Sequence, residues 1–387
     1  MTRSPLFGRR VHIAGSISLD AVIASSRDVT QARAIVEDLV IELTVRGANF
    51  VIPIDAEKER PGDGQPICFD WLVLQSAWKA KAQRLASAPG PFIVAVQHHK
   101  TELQIPPQFA EAWDQLRQSD DVQIENAAHW NMNSKRMEAQ ARYGDILIAL
   151  GGGEGALFLA NLYHEAGKPI IPLNLALCAP DAGARRLFGI GLSSSLAHQL
   201  FSAQTASAHA WVNRLNLTAR SAPADHVRGV LNLLEDLTPP QAFIVRLLDP
   251  DHEKYADVEA YFETTVKPVI EDELGFRLCV IDGRQRHDFA RIDQEIFAKL
   301  HKSAVVIADI TGSRPNCFIE LGYALGRRLP TILLAQQGAP HPFDVTTFAG
   351  HHWNLSMNAS DRRKALLEHW AAVRSRPPIV PETPLIG

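Results

Sequence analysis

Twice in this chain a run of apolar residues just long enough for one buried strand breaks into a short turn and resumes at once with helical spacing. The first is Gly144-Asp145-Ile146-Leu147-Ile148-Ala149-Leu150, followed by Gly151-Gly152-Gly153-Glu154-Gly155 and a helix from about 156 to 166 that Gly167 stops. The second is Ala304-Val305-Val306-Ile307-Ala308-Asp309, followed by the turn Ile310 to Asn316 and a second helix. A strand that is apolar along its whole length is buried on both faces, which a parallel sheet flanked by helices provides. Such units in succession predict an α/β chain whose ligands sit at the carboxyl ends of its strands.

The same alternation runs through the rest of the sequence. Arg10 to Ser16 reads as an opening strand with a small-residue end, followed by a helix carrying Ile35, Leu39, Val40 and Leu43 at helical spacing. Phe50 to Ile54, Pro91 to Val96 and Lys168 to Leu173 are further strand candidates. From about 193 to 237 the pattern is helical and alanine-rich, and Thr238-Pro239-Pro240 closes it. A second alternation follows: strands at 242–248, 276–281, 304–309 and 331–334, with helices at 258–273, 289–300 and from about Asn316. We therefore expect two doubly wound, mostly parallel Rossmann-like sheets in tandem, joined by a helical segment. The expected divisions are 1–192, a connector at 193–238, a second domain at 239–375 and a Pro-rich tail at 376–387.

Composition narrows the function classes. A length of 387 residues fits two cores, and 46% hydrophobic with 21% charged residues is a globular balance. A formal net charge of −4 gives no general field for polyanions, so neither wholesale nucleic-acid nor membrane-surface binding is expected. Cys68, Cys178, Cys279 and Cys317 are scattered without zinc or disulfide spacing, and His98, His99 and His129 form no ligand set. No metal is assigned. No stretch reaches the roughly 18 apolar residues of a membrane helix, so a cytoplasmic location is expected.

Two candidate sites follow from the two turns. In the first domain Gly151, Gly152, Gly153, Glu154 and Gly155 lie where backbone N–H groups and a helix terminus can hold an anion, and Gly15 and Ser16 end a strand opening toward the same crevice. A tight strand-to-helix turn requires glycine with or without a ligand, so both readings stay open. Upstream, around Trp130, Asn131, Asn133 and Lys135, the polar and cationic groups read either as a solvated helix face or, for Arg136, as a contact to a bound phosphate. The pieces HIAGSIS at 12–18 and GDILIALGGGEGALFLANLYHEAGKPIIPL at 144–173 resemble the SLOG superfamily, which includes cytokinin-activating phosphoribohydrolases and ligand-sensing domains of bacterial defence proteins. The resemblance covers roughly the first 190 residues. Enzymatic relatives carry Gly-Thr-x-x-Glu after the glycine pair, whereas here Ala156 replaces the threonine and Leu159 stands at the position of the acid. That departure implies a binding site for a nucleotide-derived signal rather than a catalytic one.

In the second domain Pro315 suits a helix start and Asn316 a cap, which puts Glu320 in the first turn or two, at the strand carboxyl ends. Spacing alone leaves two readings, a carboxylate facing the cleft or one offsetting the helix dipole. Cys317, on about the same face, reads as core. The run ADITGSRPNCFIELGYALGRRLPTILL at 308–334 resembles the TIR-like and nucleoside deoxyribosyltransferase-like group, whose pattern is Asp-x-Thr-Gly, an Asn-Pro-Asn-type turn and Glu-x-Gly-x-Ala. The resemblance covers roughly 240–355. It implies Glu320 as catalytic carboxylate and Asp309, Thr311 and Asn316 as the substrate-binding turn, with Arg314 where many relatives have Asn. Arg246, Asp249 and the loop 282–288 occupy pocket-lining positions.

Cleaving a nitrogen-to-ribose bond develops positive charge on the sugar, which one positioned carboxylate can stabilise or trap. Nicotinamide is already cationic within NAD+ and departs neutral without a general acid. The combined resemblances imply an NAD+ nucleosidase effector of bacterial antiviral defence, with NAD+ as substrate, no cofactor, a nucleotide-derived signal at the first domain, and self-association into a homo-oligomer or filament. The alternatives are a nucleoside or nucleotide N-glycosidase or deoxyribosyltransferase, and a non-catalytic assembly module.

Overall fold

The structure, a computed structural model, describes all residues except 1–3, 65, 86–87, 98–103, 128–131, 219, 282–290, 340–347, 349 and 375–387, and the side chains of 132 and 133. His98, His99, His129, Trp130, Asn131, the loop 282–288 and the tail lie outside the described residues, as does the side chain of Asn133. The chain divides into two compact units between Thr238 and Pro239.

Among its described residues the first unit has six strands, β1 (Arg10–Ser16), β2 (Asn49–Ile54), β3 (Ile93–Gln97), β4 (Val122–Asn126), β5 (Ile146–Gly151) and β6 (Ile170–Leu173). Its helices are α1 (Ser26–Val45), α2 (Asp70–Ala80), α3 (Pro107–Leu116), α4 (Met132–Tyr143), α5 (Glu154–Glu165), α6 (Gly183–Gly191), α7 (Ala208–Val212) and α8 (Pro223–Asp236). All strand pairs are parallel, in the order β4-β3-β2-β1-β5-β6. Every residue of β2, β3, β5 and β6 is buried, which is why these segments read as unbroken apolar runs. The edge strand β4 alternates polar and apolar residues, Val-Gln-Ile-Glu-Asn, and escaped the search for apolar runs for that reason.

In α1 the side chains of Ile35, Val36, Leu39, Val40 and Leu43 are fully buried, one helical stripe against the sheet. Ser25 caps the helix through its side chain, which accepts the amide of Asp28. The helical stretch before Thr238 belongs to this same core. Val230, Leu231, Leu233 and Leu234 of α8 share a buried cluster with the α1 stripe, and Arg46 at the end of α1 pairs with Glu235 at 2.7 Å.

The second unit is a parallel five-stranded sheet of β7 (Gln241–Val245), β8 (Arg277–Val280), β9 (Val305–Asp309), β10 (Thr331–Gln336) and β11 (His351–Trp353), in the order β11-β10-β9-β7-β8. Its helices are α9 (Tyr255–Tyr261), α10 (Ile292–His301), α11 (Pro315–Gly326) and α12 (Ala359–Val373). Alternate residues of β7 and β9 serve two cores. Ile244, Val305 and Ile307 face α9 and α12, while Phe243, Val245, Val306 and Ala308 face α11. Both units are thus α/β folds of Rossmann-like arrangement.

The helix expected over 258–273 is an α-helix only to Tyr261 and continues with the wider i→i+5 pitch over Phe262–Val266 and Pro268–Glu273. Pro268 has no N–H to donate and its ring crowds the carbonyl four residues back, so the regular pitch cannot pass through it. That carbonyl, on Thr264, instead accepts Arg363 Nε at 2.9 Å.

Candidate functional site

In an open parallel sheet, two neighbouring strands whose connections leave toward opposite faces open a crevice at their carboxyl ends. The first unit has one such place between β1 and β5, the second between β7 and β9. Both turns singled out in the sequence fall there.

In the second unit Val245 pairs with Ala308, so Arg246 and Asp309 stand side by side where the strands end. The turn after β9 packs directly against the segment after β7. A side chain on Gly312 would press Leu247 Cδ1 at 3.2 Å. Asp309 is buried, its Oδ1 accepting the Thr311 amide at 2.9 Å and its Oδ2 accepting Trp353 Nε1 at 2.8 Å. Burial raises its carboxyl above the ordinary range, opposed by those bonds and by Arg246. Thr311 Oγ1 accepts the Gln336 amide at 2.9 Å, and Gln336 Nε2 donates to Asp257 Oδ2 at 2.7 Å. Asp309 and Thr311, expected at the substrate, are therefore engaged in bracing the turn.

Arg246 pairs with Glu259 and lies 4.9 Å from the centre of the Phe262 ring, with its Nε unpartnered among the described residues. Asp249 faces Arg314 across the two lips at 3.7 Å. Ser313 takes a left-handed backbone, φ 48°, a conformation non-glycine residues adopt at a cost and mostly at tight turns. The helix α11 starts at Pro315 with Arg314 in the capping position and no side-chain cap, so Asn316 does not cap it and is instead exposed in the first turn. Glu320 follows one turn later, partly buried. Among the described residues its carboxylate has no hydrogen bond or ion pair, and burial pushes it up to about 7. Beside it the buried Cys317 thiol is pushed up to about 11, by burial first and then by Glu320 and Asp309, which suits packing and not nucleophilic attack. The network residues Trp353, Gln336, Asp257 and Glu259 escaped the sequence reading, because each stands on a different element from the turn it braces.

In the first unit Gly15 pairs with Leu150 and Ser16 with Gly151, so the two expected loops open onto one crevice. Backbone approach there is close. A Cβ on Gly15 would lie 1.6 Å from the Leu150 carbonyl oxygen, and Gly151, at φ 56°, would drive one to 2.3 Å from that of Ser16. Gly153 differs, since no described atom lies within 4 Å of the place a Cβ would take. Gly153, Glu154 and Gly155 are exposed at the start of α5, and Leu159, at the position of the missing acid, is buried in the core.

Arg136 is bonded through one terminal nitrogen to Asp55, the residue after β2, while its buried Nε has no partner among the described residues. Its neighbour Met137 reaches the place where a Gly155 side chain would stand, so α4 walls the crevice. Ser16 bridges to Cys68, bringing in Asp70 at the head of α2. Asp70 has no partner among the described residues. Its carboxyl is pushed up to about 7 by burial, with Arg136 pulling it down and Glu57 and Asp55 pushing it further up. Nothing in sequence spacing pointed to it, since the segment that carries it reaches β1 through a single bridge. Among the described residues no group of His, Cys, Asp or Glu side chains is arranged to hold a metal ion, and no helix is long and apolar enough to cross a membrane.

Fold and sites together define a two-unit α/β protein with one crevice of the nucleotide-binding type of topology in each unit. The chain belongs to the family described as ATP nucleosidase Cap17-like, N-terminal, whose model matches residues 6–234, which is the first unit almost end to end. The name gives that family a nucleosidase activity, the cleavage of a base from its ribose. No curated protein matches the chain. Among solved structures, a conserved protein from Enterococcus faecalis V583 aligns at 15% identity over 35% of this chain and 99% of its own, with a TM-score of 0.23, too loose a superposition to carry an argument.

Proposed function

We propose that this chain is a nucleosidase effector of bacterial antiviral defence, in which Glu320 of the second unit hydrolyses the bond between nicotinamide and ribose in NAD+. A nucleotide-derived signal bound at Gly15, Ser16 and the Gly151–Gly155 loop of the first unit switches it on. The observation that carries the reading is Glu320 itself, a partly buried carboxylate without a partner among the described residues, on the helix that leads out of the β7/β9 crevice. As the bond to nicotinamide breaks, its electron pair goes to the ring nitrogen, which leaves neutral. The sugar carbon is left electron-deficient beside Glu320, and water adds to it with loss of a proton.

The family's description favours a second substrate, ATP. Adenine, unlike nicotinamide, departs more readily when protonated, and a carboxyl near 7 is partly protonated at neutral pH. The two substrates thus demand opposite states of Glu320. NAD+ cleavage requires the anion and falls as pH drops below about 7, whereas acid-assisted ATP cleavage falls as pH rises above it. Chromatography of the full chain with NAD+ or ATP, with and without nucleotide extract of phage-infected cells, reads nicotinamide plus ADP-ribose or adenine plus ribose triphosphate. Release of neither base under any of these conditions overturns the proposal.

A further inference from the structure

The ion pair at the mouth of the second crevice has no structural task that the fold requires. Arg314 and Asp249 meet at 3.7 Å, both a little over two-fifths exposed; Asp249 Oδ1 also accepts the Asp251 amide at 3.2 Å, while the Arg314 side chain makes no other bond to the described residues. An exposed pair at that distance contributes little to stability and is easily displaced. Its placement, however, is specific. Asp249 lies beyond β7 and Arg314 beyond β9, so the contact spans the two lips exactly where the strand order reverses. Arg314 is held there by a tight turn, with the Ser313 amide bonded to the Ile310 carbonyl at 2.9 Å and Ser313 in its left-handed conformation. No acid stands in the first turn of α11 to compete for an anion. The other cation of the crevice, Arg246, is already committed to Glu259.

We infer that Arg314 is the specificity residue of the second unit: it takes the 5′-phosphate of the substrate, which displaces Asp249, so that the site accepts nucleotides and discriminates against nucleosides. A guanidinium offers a planar pair of N–H donors matched to two phosphate oxygens, and an anion bonded through both outcompetes a single carboxylate 3.7 Å away. Asp249 then acts as a placeholder that keeps the arginine poised and lowers affinity for weaker anions.

The test compares nicotinamide mononucleotide with nicotinamide riboside, which share the scissile bond and differ only in the 5′-phosphate. Their turnover is measured by nicotinamide release, and their binding by calorimetry on the full-length Glu320→Gln chain, where neither is consumed. The turnover arm rests on Glu320 being catalytic; the binding arm does not. Arg314→Gln is expected to weaken the mononucleotide about 10- to 100-fold and leave the riboside unchanged, Arg314→Lys to restore part of the loss, and Asp249→Asn to tighten the mononucleotide a few-fold. Mononucleotide binding that depends on Arg314, with no release of nicotinamide from the mononucleotide or from NAD+ in the presence or absence of extract from phage-infected cells, overturns the NAD+ reading and upholds this one. An unchanged ratio between the two ligands in Arg314→Gln, an equal loss for both, or no preference for the phosphate in the parent chain overturns the role of Arg314.

Discussion

The two crevices use one topological device and fill it differently. In the first unit the lips are backbone: Gly15 and Gly151 let two strands end within a carbonyl's reach of each other, and beyond them Gly153 stands in open space. In the second unit the lips are side chains. Asp309, Thr311, Trp353 and Gln336 lock the turn through buried hydrogen bonds, and the helix that follows delivers Glu320. A backbone cradle suits an anion that must be held, and a braced carboxylate suits a bond that must be broken. The contrast carries the proposed division into a binding unit and a catalytic unit.

The largest expected effect tests the catalytic half. Glu320→Gln keeps the volume and removes the anion, and loss of a positioned charge of this kind costs about 10² to 10³ in rate. Base release is expected to fall by at least that factor with an unchanged melting temperature. Turnover within a few-fold of the parent would move the chemistry elsewhere, and the unpartnered Asp70 of the first crevice would then be the next carboxylate to replace.

Within the first crevice, two glycines are expected to part company. Gly151→Ala forces a Cβ toward the Ser16 carbonyl in a left-handed backbone, which costs about 1–3 kcal/mol and lowers the melting temperature. Gly153→Glu places its Cβ more than 4 Å from any described atom, so the melting temperature should hold while a negative charge enters the expected anion cradle. The readout is activation by the phage-infected extract, expected to disappear in Gly153→Glu while the basal rate stays the same. Full activation of that variant would place the signal outside this loop.

How much of this was legible in the sequence depended on the distance between partners. Buried strands and the turns that follow them are local patterns, and β1, β2, β5, β6, β7 and β9 stood out as apolar runs. Gly151 at the end of β5 and Glu320 in the helix after the second turn were visible for the same reason. Long-range pairings left no such trace. Trp353 reaches Asp309 across 44 residues and Arg136 reaches Asp55 across 81, and no local period encodes either contact. Thr311 and Arg136, for example, each have a protein partner that only the folded sheet brings near. The helical stretch from 193 to 238 is a similar case, since its apolar stripe says that it packs but not that its partner is α1.

The smallest expected effect tests the bracing of the second crevice. Trp353 is buried, stacked on Tyr261 with ring centres 4.4 Å apart, and donates its Nε1–H to Asp309. Trp353→Phe keeps an aromatic ring against Tyr261 and removes the donor, leaving one oxygen of a buried carboxylate unsatisfied at a cost of about 1–3 kcal/mol. Asp309 is already raised by burial, and without this bond it rises further. A carboxyl that holds its proton more tightly in the folded than in the unfolded chain loses stability as pH climbs through its folded value. The penalty of the substitution should therefore grow as pH rises above the ordinary carboxylate range, whereas a penalty from lost packing alone would not change with pH. The turnover rate is expected to fall about 10-fold with KM little changed, because the turn that presents Glu320 loosens while the lips that hold substrate remain. A stability loss independent of pH, with kcat preserved, would reduce Trp353 to a core residue and leave the turn held by Thr311 and Gln336 alone.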